Sequence, residues 1–198
     1  MPLDINKVGN YNGKSFIGNS SAKPIVGVPL RGIYTFDLSQ GKLTGDDIIL
    51  PGEPVKAVNK VVNTTSEKTG AGKALNPNVL SLSKPAADTD TDISGFLLTN
   101  ETDVIDFGQD APRAYKGQIV NVALLGSRTE VYLPVADEVA GVNVNTKLLW
   151  DSANNNLKVG DTAAGTIELL GPVVDGVKFK NTGGVISYEA CKVAKVRL

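Results

Sequence analysis

Between Gly117 and Asp151 the chain alternates apolar and polar residues in short bursts, and this constrains the fold most. Ile119, Val120, Val122 and Leu124 carry the first burst, Val131-Tyr132-Leu133 the second, closed by Pro134. Val142, Val144 and Thr146 then alternate with Asn143 and Asn145, ahead of Leu148-Leu149-Trp150. β-Branched runs bounded by Gly, Pro, Asn and Asp predict strands joined by turns. No window keeps a 3.6-residue period long enough for an ordinary helix.

The same grammar runs through most of the chain. Gly32–Leu38 predicts a strand. Pro51-Gly52 predicts a tight turn ahead of a strand from Val55. Ile93–Thr99 and Val104–Phe107 predict further strands, and Val79–Leu82 a short one. Asp151–Asn156 predicts a turn, with Leu157–Val159 folding back on Leu148–Trp150. Thr166–Leu170, Val173-Val174, Val177–Phe179 and Val185–Val196 read as short strands, with Asp175-Gly176 as the hairpin turn between two of them. That makes roughly ten to twelve strands, the number expected of a barrel or sandwich. The predicted fold is all-β: a compact barrel- or sandwich-like body over 31–198, with a long loop or insertion at 63–92. The expected core includes Ile33, Phe36, Val55, Phe96, Leu97, Val122, Leu124, Val131, Leu149, Val177, Ile186 and Val193.

Residues 1–30 break the pattern. They are rich in Gly and Pro, and their apolar residues, among them Tyr11, Phe16 and Ile17, are scattered with neither a helix nor a strand period. Such a segment cannot bury enough surface alone to offset its ordering entropy. It reads as an extended arm that orders against a partner, the alternative being a tail with no role. Tyr11, Phe16, Ile17 and Arg31 are the candidate partner-binding residues.

The chemistry of the sequence is sparse. There is no histidine among the 198 residues, which removes Ser-His-Asp and Cys-His catalysis and every His-ligated metal site. The one cysteine, Cys191, excludes an internal disulfide and sits in an alternating apolar run, so it reads as a core thiol. Net charge is −1, with Lys and Arg scattered, so no nucleic-acid partner is expected. No signal-peptide pattern opens the chain, and no apolar run approaches the ~20 residues of a membrane span, so synthesis in the cytoplasm and no membrane partner are expected.

Several short motifs fail on inspection. Thr69–Ala74 resembles a phosphate loop, but Glu67 stands where its first Gly belongs and Ala74 cannot ligate Mg²⁺. Asp88, Asp90 and Asp92 open like a calcium loop, yet Ile93 and Thr99 stand where Gly and Glu are needed. A solvated acidic loop is the plainer reading, a weak cation site the alternative. The Asn19, Asn63 and Asn100 sequons read as polar loops. The pairs Asp46-Asp47 and Asp137-Glu138 are adjacent in sequence, whereas glycosidase carboxylates come from separate elements. Trp150 is either a sugar-stacking platform or a core anchor, and its place at a strand end favours the anchor. No cofactor is expected.

Three stretches, in order, carry a resemblance: Pro51-Gly52-Glu53-Pro54-Val55, Ser94-Gly95-Phe96-Leu97-Leu98, and Val120-Asn121-Val122-Ala123-Leu124-Leu125-Gly126. Together they resemble the head decoration (cement) proteins of tailed bacteriophages, and Leu149-Trp150-Asp151 followed by Leu157-Lys158-Val159 is similar to another recurring piece of phage structural proteins. The resemblance spans about residues 48–160. It implies a non-enzymatic virion protein on the outer capsid surface that clamps neighbouring major capsid subunits. It also implies a homo-oligomer, a trimer before a dimer. A carbohydrate- or receptor-binding β module of a tail or baseplate is the alternative, disfavoured by the small supply of aromatics.

Overall fold

The computed structural model describes residues 24–27, 29–31, 39–58, 79–85, 93–98, 116–117, 119–160, 167–183 and 185–198. Within them the chain is almost entirely β: eleven strands, one five-residue 3-10 turn and no α-helix. The strands are β1 (Pro29–Arg31), β2 (Ser39–Leu43), β3 (Pro54–Val58), β4 (Val79–Ser83), β5 (Gly95–Leu97) and β6 (Ile119–Leu124). They continue as β7 (Glu130–Pro134), β8 (Lys147–Asp151), β9 (Asn156–Val159), β10 (Ile167–Thr182) and β11 (Val185–Arg197). The predicted strands at 32–38 and 104–107 lie outside the described residues.

Two β units result. One is a closed barrel in the order β2-β4-β3-β5-β6, in which only β2 and β4 run parallel. The other is a six-stranded sheet in the order β1-β7-β11-β10-β8-β9. A bridge from Val135 to Leu157 ties the end of β7 to β9, curling the sheet toward closure. The short strand expected at Val79–Leu82, within the 63–92 loop or insertion, is β4, whose two neighbours are β2 and β3.

The period of two explains why both units are stable. Leu97 of β5 and Val122 of β6 point into the barrel, with Leu43, Ile49, Val55 and Leu82. Their chain neighbours Phe96 and Ala123 point the other way, into the main core with Val131, Leu133, Leu148 and Val193. β5 is therefore buried on both faces throughout, and β6 at Val122 and Ala123. Trp150 of β8 meets Phe96 edge to face at 5.2 Å between ring centroids and couples the sheet to the barrel.

Pro24–Gly27 forms a strap along this junction. Val177 N–H donates to Pro24 O at 2.9 Å, Val26 N–H to Val177 O at 3.0 Å, and Gly27 N–H to Tyr132 O at 3.1 Å. Ile25 and Val26 are buried. The last residues of the segment expected as an arm are thus part of the body.

Four expectations are corrected. Asp175-Gly176 is no turn: both residues lie inside β10, paired with Lys192 and Cys191. A Cβ on Gly176 would stand 2.6 Å from a Val193 methyl and 2.9 Å from Pro24 O. The glycine serves the close approach of the strap. The reversal falls instead between paired Thr182 and Val185, with Gly183 at φ 60°. The three short strands expected between Thr166 and Phe179 are one long strand, β10, interrupted only where its register with β11 shifts between Leu169 and Val173, and the run expected over Val185–Val196 is β11. Gly171 and Pro172 occupy that bulge, where a missing N–H costs no ladder bond. Val142, Val144 and Thr146 form no strand: Asp137–Gly141 is the 3-10 turn, and Thr146 N–H and Oγ1 both donate to Asn143 O, closing a turn with Asn145 at φ 71°.

The fourth concerns core phase. Leu149 is only half-buried, while Leu148 and Trp150 beside it are in the core. Leu124 and Val177 are likewise half-buried, at the margins of the barrel core and of a small cluster of Ile25, Leu50 and Phe179. Val55, Phe96, Leu97, Val122, Val131 and Val193 are buried as expected. Ile33, Phe36 and the Ile186 side chain lie outside the described residues.

Candidate functional site

The strap, the turn before β3 and the free end of the β10–β11 ribbon meet around a groove of about 300 Å³. Sequence dictates each wall. Pro51-Gly52 builds a tight turn in which Glu53 N–H donates to Leu50 O at 3.0 Å and Gly52 takes φ 80°, open to glycine and costly for other residues. Glu53 Oε2 accepts from Leu50 N–H at 2.8 Å and locks the same turn. Val26, Leu50, Pro51, Phe179 and Trp150 give the groove its apolar lining. Lys84, Lys178 and Lys180 stand on its rim with Glu53 and Glu189. Lys180 pairs with Glu189 at 3.5 Å across the ribbon, and Phe179 packs on Tyr188 at 5.0 Å.

A second polar feature crosses the sheet. Glu130 of β7, Arg197 of β11, Glu168 of β10 and Lys147 of β8 are successive register partners, so four strands present one row of alternating charge, and the backbone of Arg31 in β1 lies in register with Glu130. Arg197 bonds Glu130 at 3.4 Å and Glu168 at 3.2 Å, and Lys147 bonds Glu168 at 3.3 Å. Lys195 Nζ adds a 2.6 Å charge contact to Glu130, whose side chain is only 7% exposed. Arg31, a candidate partner-binding residue, thus has its backbone beside this row; its side chain lies outside the described residues.

Tyr11, Phe16 and Ile17 lie outside the described residues, as do the Thr69–Ala74 loop, Asp88, Asp90, Asp92 and the three sequon asparagines. Asp46 is exposed and pairs with Lys116 at 2.7 Å. Asp137 and Glu138 open the 3-10 turn, where Glu138 Oε1 accepts from Val159 N–H at 3.0 Å. Trp150 is 4% exposed and sits in the main core, so it offers no open stacking platform. Cys191 is half-buried beside that core; burial pushes its thiol up to about 11, so almost no thiolate exists at neutral pH. Among the described residues no three Cys, Asp or Glu side chains gather to hold a metal ion, and no helix is long and apolar enough to cross a membrane.

Neither the groove nor the charge row was visible in the sequence. Their residues come from stretches far apart in the chain, and only strand register brings them together. Comparison with known proteins finds no matching family model and no matching curated protein.

Proposed function

We propose that this protein is a non-enzymatic virion component that binds the outer surface of a tailed-phage capsid and cements neighbouring major capsid subunits. One observation carries the reading. The three stretches that resemble head decoration proteins are not scattered: they supply β3, β5 and β6, hydrogen-bonded neighbours in that order within the barrel. These three stretches therefore belong to a single structural unit, the barrel. A doubly buried β body suits a clamp, which must transmit load without rearranging. The arm carrying Tyr11, Phe16 and Ile17 supplies the reach to a neighbouring subunit, and self-association as a trimer, or failing that a dimer, multiplies the grip. A glycan-binding role has less support, since Trp150 is built into the core.

The test is direct. Purified protein mixed with undecorated capsid shells should co-sediment to saturation and raise the temperature at which the shells come apart. Protein that stays in the supernatant, with shells melting unchanged, would overturn the proposal. Deleting residues 1–20 should leave the β body folded and weaken shell binding markedly.

A further inference from the structure

We propose that the groove between the strap, the Leu50–Glu53 turn and the β10–β11 ribbon docks a short extended peptide that is acidic and carries one large apolar side chain.

The surface already seats one extended segment in this way. Pro24–Val26 lies along β10, exchanges main-chain hydrogen bonds with Val177, and sends Val26 into the groove wall. Main-chain pairing with pockets for alternate side chains is a general mode of peptide capture. A volume of about 300 Å³ is at the small end for ligand sites, the scale of one large side chain with its backbone rather than a cofactor.

Charge selects the class of peptide. The rim holds three ammonium groups against two carboxylates. Glu189 is paired with Lys180, and Glu53 keeps its charge while accepting from Leu50 N–H, which leaves the rim one positive charge in excess. Lys84 and Lys178 are left to meet incoming negative charge, in a chain whose net charge is −1.

Trp150 supplies an independent sign. Its Nε1 is buried and has no acceptor among the described residues, an uncommon state for an indole N–H. A docked chain brings main-chain carbonyls, which are acceptors. Because Nε1 is covered, it meets one only when the groove's side chains part, and the chain's single tryptophan reports that event.

The inference does not rest on the shell-binding reading, since it concerns the isolated protein. The probe is a capped pentapeptide of phenylalanine flanked by two aspartates on each side. It should shift and quench Trp150 fluorescence saturably, with a Kd on the order of 1 mM or tighter. The lysine-flanked counterpart should leave the emission unchanged. Lys178→Glu and Lys84→Glu, both on the rim, should each weaken binding about tenfold while the circular dichroism spectrum and Tm stay as in the parent. Three results would each overturn the proposal: no saturable change up to about 10 mM peptide, equal response to the basic peptide, or full affinity in both well-folded variants.

Discussion

Gly176 shows how a residue can be identified correctly and assigned the wrong task. Asp-Gly is a strong turn signal, and nothing local distinguishes it from a glycine that makes room for another strand. Gly176→Ala should lower stability by about 1–3 kcal/mol, because the added methyl meets Val193 and Pro24 O. Gly141→Ala, with nothing within 4 Å of the new Cβ, should move it by under about 0.5 kcal/mol. Thermal melts of the two variants check both. The Leu148-Leu149 pair tests strand phase in the same way. Leu148→Ala should cost roughly 2–5 kcal/mol and Leu149→Ala clearly less, measured by urea unfolding. Two adjacent leucines leave the phase open in sequence, and the register of Leu148 against Ile167 and Val159 decides it. Asp151 bears on pH. Its carboxylate accepts from the Asn154 side chain at 3.0 Å and from Ala153 N–H at 3.0 Å, which holds its pKa below the ordinary 3.8. A depressed carboxylate stabilises the fold above its unfolded pKa, and that contribution is lost as pH falls through the folded one. Asp151→Asn should therefore flatten the loss of stability below about pH 4, seen as a smaller drop in Tm on acidification.

At the level of elements, alternation located most of the described strands, because burying one face imposes a period of two wherever a strand lies. It did not show how far they run or which neighbours they take. β10 was read as three short pieces, since Gly171, Pro172 and Gly176 punctuate the sequence where the structure has a bulge and a close approach. The charge row was equally hidden: Glu130, Glu168 and Arg197 are unremarkable singly and become a ladder only once register is set. The row in turn helps hold that register, since a slip of one residue would set Glu130 against a different neighbour and turn it to the other face. Glu130→Ala should cost about 1–3 kcal/mol, less than for a fully buried pair because Lys195 and Arg197 keep contact with water. A double-mutant cycle with Arg197→Ala should show a coupling of at least about 0.5 kcal/mol. Additive losses would mean that the row contributes packing alone.

For the whole molecule, the all-β class followed from composition and pattern, but the division into barrel and sheet did not. Phe96 and Leu97 are consecutive apolar residues that serve different cores, and no periodicity marks that the two faces of a strand have different owners. The candidate groove was illegible for the same reason, since it exists only where the two units meet. The strap holds that junction. Removing residues 1–23 keeps the strap and sets the reference stability. Removing 1–28 should cost about 3–6 kcal/mol by exposing the sites of Ile25 and Val26, each worth ~1.5–3 kcal/mol when buried. Chemical denaturation of the two truncations checks this.

The strap also sets an order of events during synthesis. Pro24–Gly27 leaves the ribosome early, but its partners Tyr132 and Val177 are made much later. The main core likewise draws on Val193, Val196 and Leu198, made later still. Barrel strands can pair as soon as β6 is made, whereas the strap must wait for Tyr132 and Val177. A segment made before the barrel thus finds its place after it, and until then Ile25 and Val26 are open to chaperones and to neighbouring copies.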